Sequence, residues 1–588
     1  MSRNMPRRLL ALSVCLILLL SACTSGELSR GDVLTWTRWN GFDNFLELAR
    51  QTYPEIEWEY TAYAGANRTG YSWAQMRADD IPDIFITSQI IDKDLAKERL
   101  VDLANYDFVN GLSTALLDQV AIDGDIYALP VSNAMYGIYY NKTLMEEHNW
   151  ELPSNFAELE ALCAEIRAAG LEPGYIGMQL TGVPFATVFN LAKTGWFSTL
   201  DGVNWERDFL AGNAAAAGKW ESTMDHVQKY IDIGMFNADP EDHYDGGVLN
   251  SYVGERKAVF CTAMQMLNST KFENGDEIGT MPFISEDGSK NIYMYSPSSY
   301  IGISRRLTEP GNEKKLENDV KLLSLLFLEE GQAAFITEQT PCELSVLSNA
   351  NLPGDTLIYD AQQAMRAGRT FPQTNIGWEN ILSDMGQAYK DWIRGENGMD
   401  IPGCIARMDE LQTAYLNNQD DVYFCESTAD FTLEETARLV GKALGSAADA
   451  DAAMIIVNGV NGRPGFKAGV SGRLYKGLIN ADVATTVSFG STRGYNVLTM
   501  TGAQAKELAK TGFDPAGDGN VYPYVLVTRG GEALDDNTVY KVAFLLNSFT
   551  AEAGETCNAQ QGETPLSTII RTWLEEQGTV SPGGNPWE

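Results

Sequence analysis

The sequence predicts an α/β protein with more than one domain. Residues 32–36 and 56–60 alternate between apolar and polar side chains as strands do, and residues 42–53 between them follow a helical pattern. Residues 83–87 form a short apolar run that is typical of a buried strand. Strands that alternate with helices indicate an α/β sheet. Because 588 residues are too many for one hydrophobic core, we expect several domains.

Later segments of the first domain continue this pattern. Residues 125–130 are expected to form a strand. A helix is predicted over residues 155–169, with Ser154 or Asn155 as its cap, because both side chains can accept a hydrogen bond from the first helical turn. Another strong helix is predicted over residues 316–328.

A change in sequence character marks the end of this domain. Residues 417–421 are polar, and a new series of strands and helices starts at about residue 431. This series includes a predicted helix near residues 433–444 and a predicted strand at 453–457. We therefore expect a separate C-terminal domain that begins after a short linker.

Charge limits the classes of partner. The formal net charge is −36, from 79 acidic and 43 basic residues. Nucleic-acid binding needs clustered Lys and Arg, so the balance argues against a nucleic-acid partner. It equally argues against attachment to anionic lipid by charge alone. We interpret the acidity as a means of staying soluble.

Cysteine and histidine usage predicts neither a metal site nor a cofactor. Beyond the N-terminal segment no two Cys form a Cys-x-x-Cys pair. These Cys either pair as disulfides or stay buried free thiols, and the sequence leaves both open. The segment 242–245, which contains one of only three His, is interpreted as a solvated acidic loop. The Cys in question are Cys163, Cys261, Cys342, Cys404, Cys425 and Cys557.

The N-terminus has the layout of a secretory signal. Three Arg within the first eight residues precede an apolar run over residues 9–20, which is too short to cross a bilayer, since a span needs roughly 20 residues. Leu20-Ser21-Ala22-Cys23 follows this run. The stretch resembles the lipobox of bacterial lipoproteins, in which the Cys is lipidated. The resemblance implies a lipid anchor on Cys23 at the outer face of the cytoplasmic membrane.

Six short motifs in the first domain occur together in a characteristic order. They lie at residues 53–58, 81–85, 99–103, 124–142, 152–156 and 253–260. In this order, residues 32 to about 415 resemble the extracellular solute-binding proteins of carbohydrate-type ABC importers. The resemblance implies a two-lobed periplasmic-binding-protein-like fold of type II, with Tyr139-Tyr140-Asn141-Lys142 at the first passage between lobes. It implies capture of a carbohydrate and its delivery to ABC permease subunits, without catalysis.

A cleft for sugar needs flat apolar rings and a few polar groups for the hydroxyls. Aromatic and polar side chains stand at the expected ends of strands, where such a cleft would lie. We assign Trp58 and Phe85 to the core instead, because they lie inside predicted strands. The candidate ligand-binding residues are Trp36, Trp39, Ser88, Gln89, Tyr136, Trp196, Gln265 and Tyr300.

The last domain carries a second set of motifs, at residues 450–459, 462–463, 487–490, 498–504, 536–543 and 547–549. With these, residues 431–588 resemble the C-terminal domain of 5'-nucleotidases, an α+β module that holds the nucleoside. The resemblance implies a pocket formed by Arg463, Phe489, Phe549 and Glu555. The two Phe could equally be core residues. That family's metal-binding catalytic domain has no counterpart here, so no hydrolysis is expected.

The predicted organisation comprises a signal peptide (1–22), a lipidated Cys with its tether (23–31), the solute-binding domain (32–418), a linker (419–430) and the 5'-nucleotidase C-terminal-like domain (431–588). The leading hypothesis is a lipid-anchored carbohydrate receptor of an ABC importer, with a non-catalytic accessory domain. The alternative is a sensor or scaffold lipoprotein whose C-terminal domain binds a nucleoside or nucleotide.

Overall fold

In this computed structural model, the described residues are 32–38, 42–63, 67–243, 245–262, 269–336, 343–347, 357, 359–374, 377–417, 423–457, 469–489, 494–514, 521–545, 560–562 and 564–587. Cys23 and the rest of the N-terminal segment lie outside them. Among the described residues, no helix is long and apolar enough to cross a membrane.

Lobe 1 is built first along the chain, as strands alternating with helices. Its elements up to the crossing are β1 (Leu34–Arg38), α1 (Asp43–Thr52), β2 (Trp58–Ala62), α2 (Arg68–Arg77), β3 (Ile84–Thr87), α3 (Lys93–Arg99), a 3-10 turn (Asp107–Gly111), α4 (Thr114–Val120) and β4 (Leu129–Tyr136). The predicted strands and helices of this region are therefore present, with bounds shifted by a few residues.

Lobe 2 follows, and it contains β5 (Ile138–Asn141), α5 (Lys142–His148), α6 (Phe156–Ala168), β6 (Glu172–Ile176), α7 (Gly182–Lys193), α8 (Leu200–Leu210), α9 (Glu221–Asp232), β7 (Asn237–Ala238), α10 (Asp245–Val248), β8 (Ala258–Thr262) and β9 (Ile278–Met281). Asn155 is the cap of α6, because its side chain accepts a hydrogen bond from the Glu158 amide at 3.0 Å.

The chain then returns to lobe 1 and completes both lobes. The elements are β10 (Tyr293–Ile303), α11 (Glu313–Leu326), α12 (Glu329–Ile336), β11 (Glu343–Leu344), α13 (Tyr359–Arg366), β12 (Thr370–Pro372), α14 (Glu379–Arg394) and α15 (Ile401–Leu416). Of these, α14 packs against α7 and so belongs to lobe 2.

Each lobe is organised around one sheet. In lobe 1 the strand order is β11-β4-β10-β3-β1-β2, with β12 beside β10, and in lobe 2 it is β7-β6-β8-β5-β9. Phe85 on β3 is buried, as predicted. Trp58 is partly buried and packs at the margin of the core, because β2 is an edge strand. The Arg50 guanidinium covers its ring at 5.3 Å.

Two long strands carry the chain between the lobes. β4 and β10 pair antiparallel from Leu129↔Ile301 to Tyr136↔Met294. One residue after β4 ends, β5 begins and pairs with β8 and β9 of the second sheet. The first passage between lobes therefore lies at Gly137, directly before the segment that the sequence predicted.

The C-terminal unit comprises β13 (Cys425–Ser427), α16 (Leu433–Ala447), β14 (Ala452–Ile456), β15 (Gly469–Val470), β16 (Gly477–Ile479), α17 (Ala481–Thr486), β17 (Ser488–Phe489), β18 (Tyr495–Thr501), α18 (Gly502–Thr511), β19 (Tyr524–Thr528), β20 (Val539–Leu545), β21 (Gln560–Gly562), α19 (Leu566–Gln577) and β22 (Thr579–Val580). β13 lies inside the expected linker but pairs with β16 and β22, so ordered pairing of this unit begins before residue 431.

The C-terminal unit packs against α2 of lobe 1. The Tyr475 ring lies 6.4 Å from the Tyr71 ring, centroid to centroid, and Arg473 forms an ion pair with Asp80 at 3.1 Å. A Cβ at Gly472 would lie 3.1 Å from the Tyr71 ring, so the absence of a side chain permits this close approach. The unit is thus attached to one lobe by aromatic, ionic and close backbone contacts.

Four described cysteines, Cys163, Cys261, Cys404 and Cys425, are buried free thiols. Burial raises the pKa of Cys163 and of Cys404 to about 12. For these four residues the structure therefore supports the second of the two alternatives that the sequence left open. Cys342 and Cys557 lie outside the described residues.

One carboxylate in lobe 1 is buried without compensation. Asp319 on α11 has no exposed surface, and within the described part of the chain neither of its carboxylate oxygens has a hydrogen-bond partner. Burial, and secondarily the charge of Asp83, raises the pKa of Asp319 well above its usual range. Asp83 accepts a hydrogen bond from the Lys315 ammonium at 2.9 Å, so this ammonium pairs with Asp83 and not with Asp319.

We expect Asp319→Asn to stabilise the protein at pH 7 by about 1–3 kcal/mol. The unfolded-state pKa is about 3.9 and the folded-state pKa is higher. The contribution of Asp319 to the free energy of unfolding is therefore fully present below about pH 4. It is lost as the pH rises toward the folded-state pKa of Asp319. Urea unfolding of wild type and variant across pH 4–8 measures this. The matched control is Asp94→Asn on exposed α3; equal effects of both changes would contradict the prediction.

Candidate functional site

The strands β4 and β10, which connect the two lobes, form the hinge. The ends of several other strands lie next to it. β1 runs parallel to β2 and β3, so the carboxyl ends of these three strands share one edge of the lobe 1 sheet. In lobe 2, β6 and β8 are parallel, and β5 starts from the hinge opposite the end of β8, with Tyr139 facing Cys261. Ligands of open α/β sheets bind outside carboxyl strand ends, so this edge is the candidate cleft.

Ser88 and Gln89 lie at this edge, directly after β3. The Gln89 carbonyl accepts hydrogen bonds from Trp73 Nε1 at 2.9 Å and from Thr87 Oγ1 at 2.8 Å, which fixes the backbone of the turn. Within the described ranges, neither the Ser88 hydroxyl nor the Gln89 side-chain amide has a hydrogen-bond partner, and both residues are half-buried. Two polar side chains are therefore held at the strand end on a rigid backbone.

Three predicted aromatic residues are more deeply placed. Trp36 is 2% exposed and packs edge-to-face on Phe42, with ring centroids 4.9 Å apart. Tyr300 is inside β10, opposite Thr87, and Tyr136 is the last residue of β4; both are buried. Tyr136 and Tyr300 thus belong to the hinge strands, and Trp36 contributes mainly to the core of lobe 1.

Trp196 lies in a cluster of rings within lobe 2. Its ring is 5.3 Å from Trp205 and 5.9 Å from Trp220, and its indole nitrogen donates to Thr223 Oγ1 at 3.0 Å. The structure therefore groups Trp196 with the packing of lobe 2 and not with Ser88 and Gln89. Its assignment as a ligand contact remains a prediction.

Most of the other candidate residues lie outside the part of the chain that the structure describes. Trp39 and Gln265 of the predicted cleft lie outside the described residues, as do Arg463, Phe549 and Glu555 of the predicted nucleoside pocket. Phe489 is part of the short strand β17, which pairs with β15. The roles of all six residues remain predictions.

A cavity of about 680 Å³ lies beside the hinge and is lined from both lobes. Asn133, Tyr295 and Leu344 line it from the hinge strands, and Lys193 and Glu206 line it from lobe 2. Because side chains alternate along a strand, Asn133 lies on the face of β4 opposite Tyr136. None of the six predicted cleft residues that the structure describes lines this cavity, so it is separate from the strand end at Ser88 and Gln89.

An ion pair that the sequence did not reveal borders this cavity. The Lys193 ammonium lies 3.3 Å from the Glu206 carboxylate, and the two side chains are 1% and 2% exposed. Glu206 also accepts a hydrogen bond from Trp378 Nε1 at 2.8 Å, and Lys193 lies 3.8 Å from the centre of the Phe197 ring. Burial lowers the pKa of Lys193, and the charge of Glu206 opposes this effect. The sequence does show a Lys at the end of a mostly apolar helix, which is a signal for a buried cation. Its partner, Glu206, is decided by tertiary packing.

A second buried carboxylate joins the hinge strands. Glu343 on β11 accepts hydrogen bonds from Ser132 of β4 and from Ser298 of β10, the latter at 3.0 Å. It is 7% exposed, and burial raises the pKa of Glu343 above its usual range. Both hydroxyls also lie within hydrogen-bond distance of each other, at 2.5 Å. This network cross-links three strands at the crossing.

The loop around His243 is partly exposed, as predicted, but two of its acidic neighbours have defined partners. Asp239 has no exposed surface and accepts hydrogen bonds from the His243 amide at 2.6 Å and from the Tyr252 hydroxyl at 2.9 Å. Asp242 pairs with Arg394 of α14 at 2.6 Å. The acidic residues here organise a turn and attach it to a helix that is distant in sequence.

Comparison with known proteins agrees with this geometry. Residues 42–311 match the family model for bacterial extracellular solute-binding proteins. An uncharacterized ABC transporter extracellular-binding protein of Pyrococcus horikoshii is 28% identical over 159 residues. The match covers 26% of this chain and 38% of that relative, so the chain spans well under half of the relative's length.

Solved structures share the two-lobed fold. A chitin oligosaccharide binding protein is 18% identical, and the match covers 66% of this chain and 100% of that chain with a TM-score of 0.51. A family 1 extracellular solute-binding protein from Bifidobacterium longum subsp. infantis is 16% identical, over 65% of this chain and 99% of that one, with the same TM-score. The N-terminal two thirds of the chain therefore has the two-lobed α/β fold of solute-binding proteins.

The ion pair between Lys193 and Glu206 gives a stability prediction. We expect Glu206→Gln to lower the free energy of unfolding by about 3–5 kcal/mol, because it leaves a buried cation without its partner. The double variant Lys193→Met with Glu206→Gln should recover most of this loss. Denaturant unfolding at pH 7 measures both. A double variant no more stable than Glu206→Gln alone would show that the pair is not the cause.

Proposed function

We propose that the chain is the extracellular solute-binding component of an ABC importer, which captures a carbohydrate between two lobes and delivers it to permease subunits. The observation that supports this most is the architecture. Two α/β sheets are connected through the strands β4 and β10, and strand ends of both sheets meet beside that connection. Two lobes joined by a few crossing segments close around a ligand by bending at those segments.

The carbohydrate class is supported by the chemistry of the cleft edge. Ser88 and Gln89 offer a hydroxyl and an amide for sugar hydroxyls. Tyr136 and Trp39 are the aromatic residues that we expect to contact the flat faces of the sugar. The name of the chitin oligosaccharide binding protein, whose fold this chain shares, points to the same class of ligand. An oligosaccharide is the ligand that we favour, because a two-lobed cleft can contact several sugar units at once.

Membrane attachment completes the proposal. Cys23, in the lipobox-like segment, is lipidated and holds the mature chain at the outer face of the cytoplasmic membrane. The chain charge of −36 does not favour an anionic lipid surface, so a covalent lipid is the suitable anchor. From this position the two lobes have access both to extracellular solute and to the permease.

Titration calorimetry of residues 32–588 with chitin oligosaccharides and other oligosaccharides tests the proposal. We expect binding in wild type and a loss of about tenfold or more in affinity in Tyr136→Ala and in Trp39→Ala, since a buried aromatic contact is removed. Trp58→Ala is the matched control, because Trp58 lies on the outer edge strand, and its affinity should equal wild type. Equal affinities in all four proteins would refute the proposed cleft.

A second function is nucleoside sensing by the C-terminal unit. It is favoured by two hydrogen bonds between lobe 1 and that unit. The Tyr63 hydroxyl, at the end of β2, donates to the Thr486 carbonyl at 2.9 Å. Asn67 Nδ2 donates to Thr485 Oγ1 at the same distance. Phe489, which would stack on the base, follows Thr486 by three residues. A nucleoside at Phe489 would therefore bind close to a loop that adjoins the sugar cleft.

For this second function, we expect adenosine to bind wild type and to bind Phe489→Ala at least about tenfold more weakly, because a base-stacking contact of about 1–3 kcal/mol is lost. Phe513→Leu is the control, because Phe513 belongs to a separate hydrophobic cluster of the C-terminal unit. Calorimetry is performed with and without the sugar. An adenosine affinity that Phe489→Ala leaves unchanged would eliminate this function.

A further inference from the structure

The C-terminal unit contains a cavity of about 580 Å³. It lies between α16, β19 and the last residues of the chain, which fold back over the helix. The backbone amide of Gly530 donates to the Trp587 carbonyl at 2.8 Å, and this bond fixes the tail in place. The volume of the cavity is that of an ordinary small-molecule site.

The base of the cavity is apolar and aromatic. Phe431, Leu439, Val527, Trp573 and Trp587 line it, and each is at most 7% exposed. Trp587 is held by two neighbours: a Cβ at Gly445 would lie 2.1 Å from its ring, and the Arg529 guanidinium lies 5.6 Å from its centre. A rigid surface that contains two indole rings favours a flat, apolar ligand body.

The rim of the cavity carries positive charge. Arg438 and Lys442 lie one turn apart on α16 and both line the cavity. The Lys442 ammonium donates to the Gly584 carbonyl at 2.6 Å, and no carboxylate in the described part of the chain lies within ion-pair distance of it. Burial, followed by the charge of Arg438, lowers the pKa of Lys442. An unneutralised ammonium is notable in a chain with 79 acidic residues against 43 basic ones.

Two of the three carboxylates near this rim, Glu434 and Glu435, have other partners, and the third, Glu532, also lines the cavity. Glu435 accepts hydrogen bonds at 2.8 Å from the Thr432 amide and hydroxyl, so it serves the cap of α16. Glu434 pairs with Arg438 through Nε and Nη2, which leaves Nη1 available. Gly530 and Gly531 complete the rim, and no atom lies within 4 Å of a Cβ built on either, so a ligand can approach the backbone there.

We propose that this cavity binds a small aromatic acid, whose ring packs on Trp573 and Trp587 and whose carboxylate or phosphate accepts hydrogen bonds from Lys442 and Arg438. The apolar base selects the ring, and the uncompensated ammonium selects the negative charge. A charge-assisted hydrogen bond in a partly desolvated site is stronger than a neutral one, so the anionic group should dominate recognition. The proposal does not depend on sugar capture by the two lobes.

Titration calorimetry of residues 32–588 with benzoate, phenyl phosphate and benzyl alcohol tests this site. We expect benzoate or phenyl phosphate to bind at millimolar concentration or tighter, and benzyl alcohol to bind at least about tenfold more weakly, as expected for loss of one charge-assisted contact. The better of the two acids identifies whether the natural ligand is a carboxylate or a phosphate ester. Absence of binding by both acids at millimolar concentration would overturn the proposal.

Variants separate this site from other anion sites. Lys442→Met should weaken the acid about tenfold while it preserves the apolar stem of the side chain. Arg438→Gln, at an exposed position, should weaken it to a smaller extent and serves if Lys442→Met does not fold. Lys510→Met, on α18 and 79% exposed, is the matched control and should bind as wild type does. Wild-type affinity in both Lys442→Met and Arg438→Gln would also overturn the proposal.

Discussion

The antiparallel pairing of β4 with β10 is the constraint on which the two-lobed structure depends. β4 leads the chain from lobe 1 into lobe 2 and β10 leads it back, so the relative position of the lobes is set where these strands cross. Register shifts between Pro297 and Tyr300 interrupt the pairing, and bulges of this kind bend a strand locally. Glu343 binds the two strands together through Ser132 and Ser298. The hinge is therefore a hydrogen-bonded ribbon with a defined weak point.

Buried charge distinguishes the two lobes. In lobe 2, Lys193 and Glu206 neutralise each other among aromatic rings, and removal of one partner is costly because the other stays desolvated. In lobe 1, Asp319 has no such partner within the described residues, and it is retained in spite of its desolvation cost. A lobe that closes as a rigid body needs an internal structure that does not rearrange. The aromatic and ionic packing of lobe 2 meets that need.

The attachment of the C-terminal unit to α2 has a mechanical consequence. Because Tyr475 and Arg473 contact Tyr71 and Asp80, the unit is fixed to lobe 1, and under the proposed function it would move with lobe 1 during closure. The edge of lobe 1 near Tyr63 is shared by the cleft and by this interface. These contacts are the described route by which occupancy of one region can change the free energy of the other.

The sequence by itself determined the local elements, since strand and helix periods, caps and motif order are properties of neighbouring residues. It identified α6 with either Ser154 or Asn155 as its cap, and it identified the buried β3. The family resemblance placed the passage at residues 139–142, two residues after Gly137. It also selected Ser88 and Gln89, because polar residues that follow a buried strand end at a sheet edge. Tertiary structure alone decided that Trp58 is on an edge strand, that Trp196 packs within lobe 2 and that Lys193 meets Glu206. The cavity that Trp587 lines was also decided by tertiary structure alone. Each of these depends on residues that are distant in the chain and come together only when the sheets and helices pack, and no local pattern specifies that pairing.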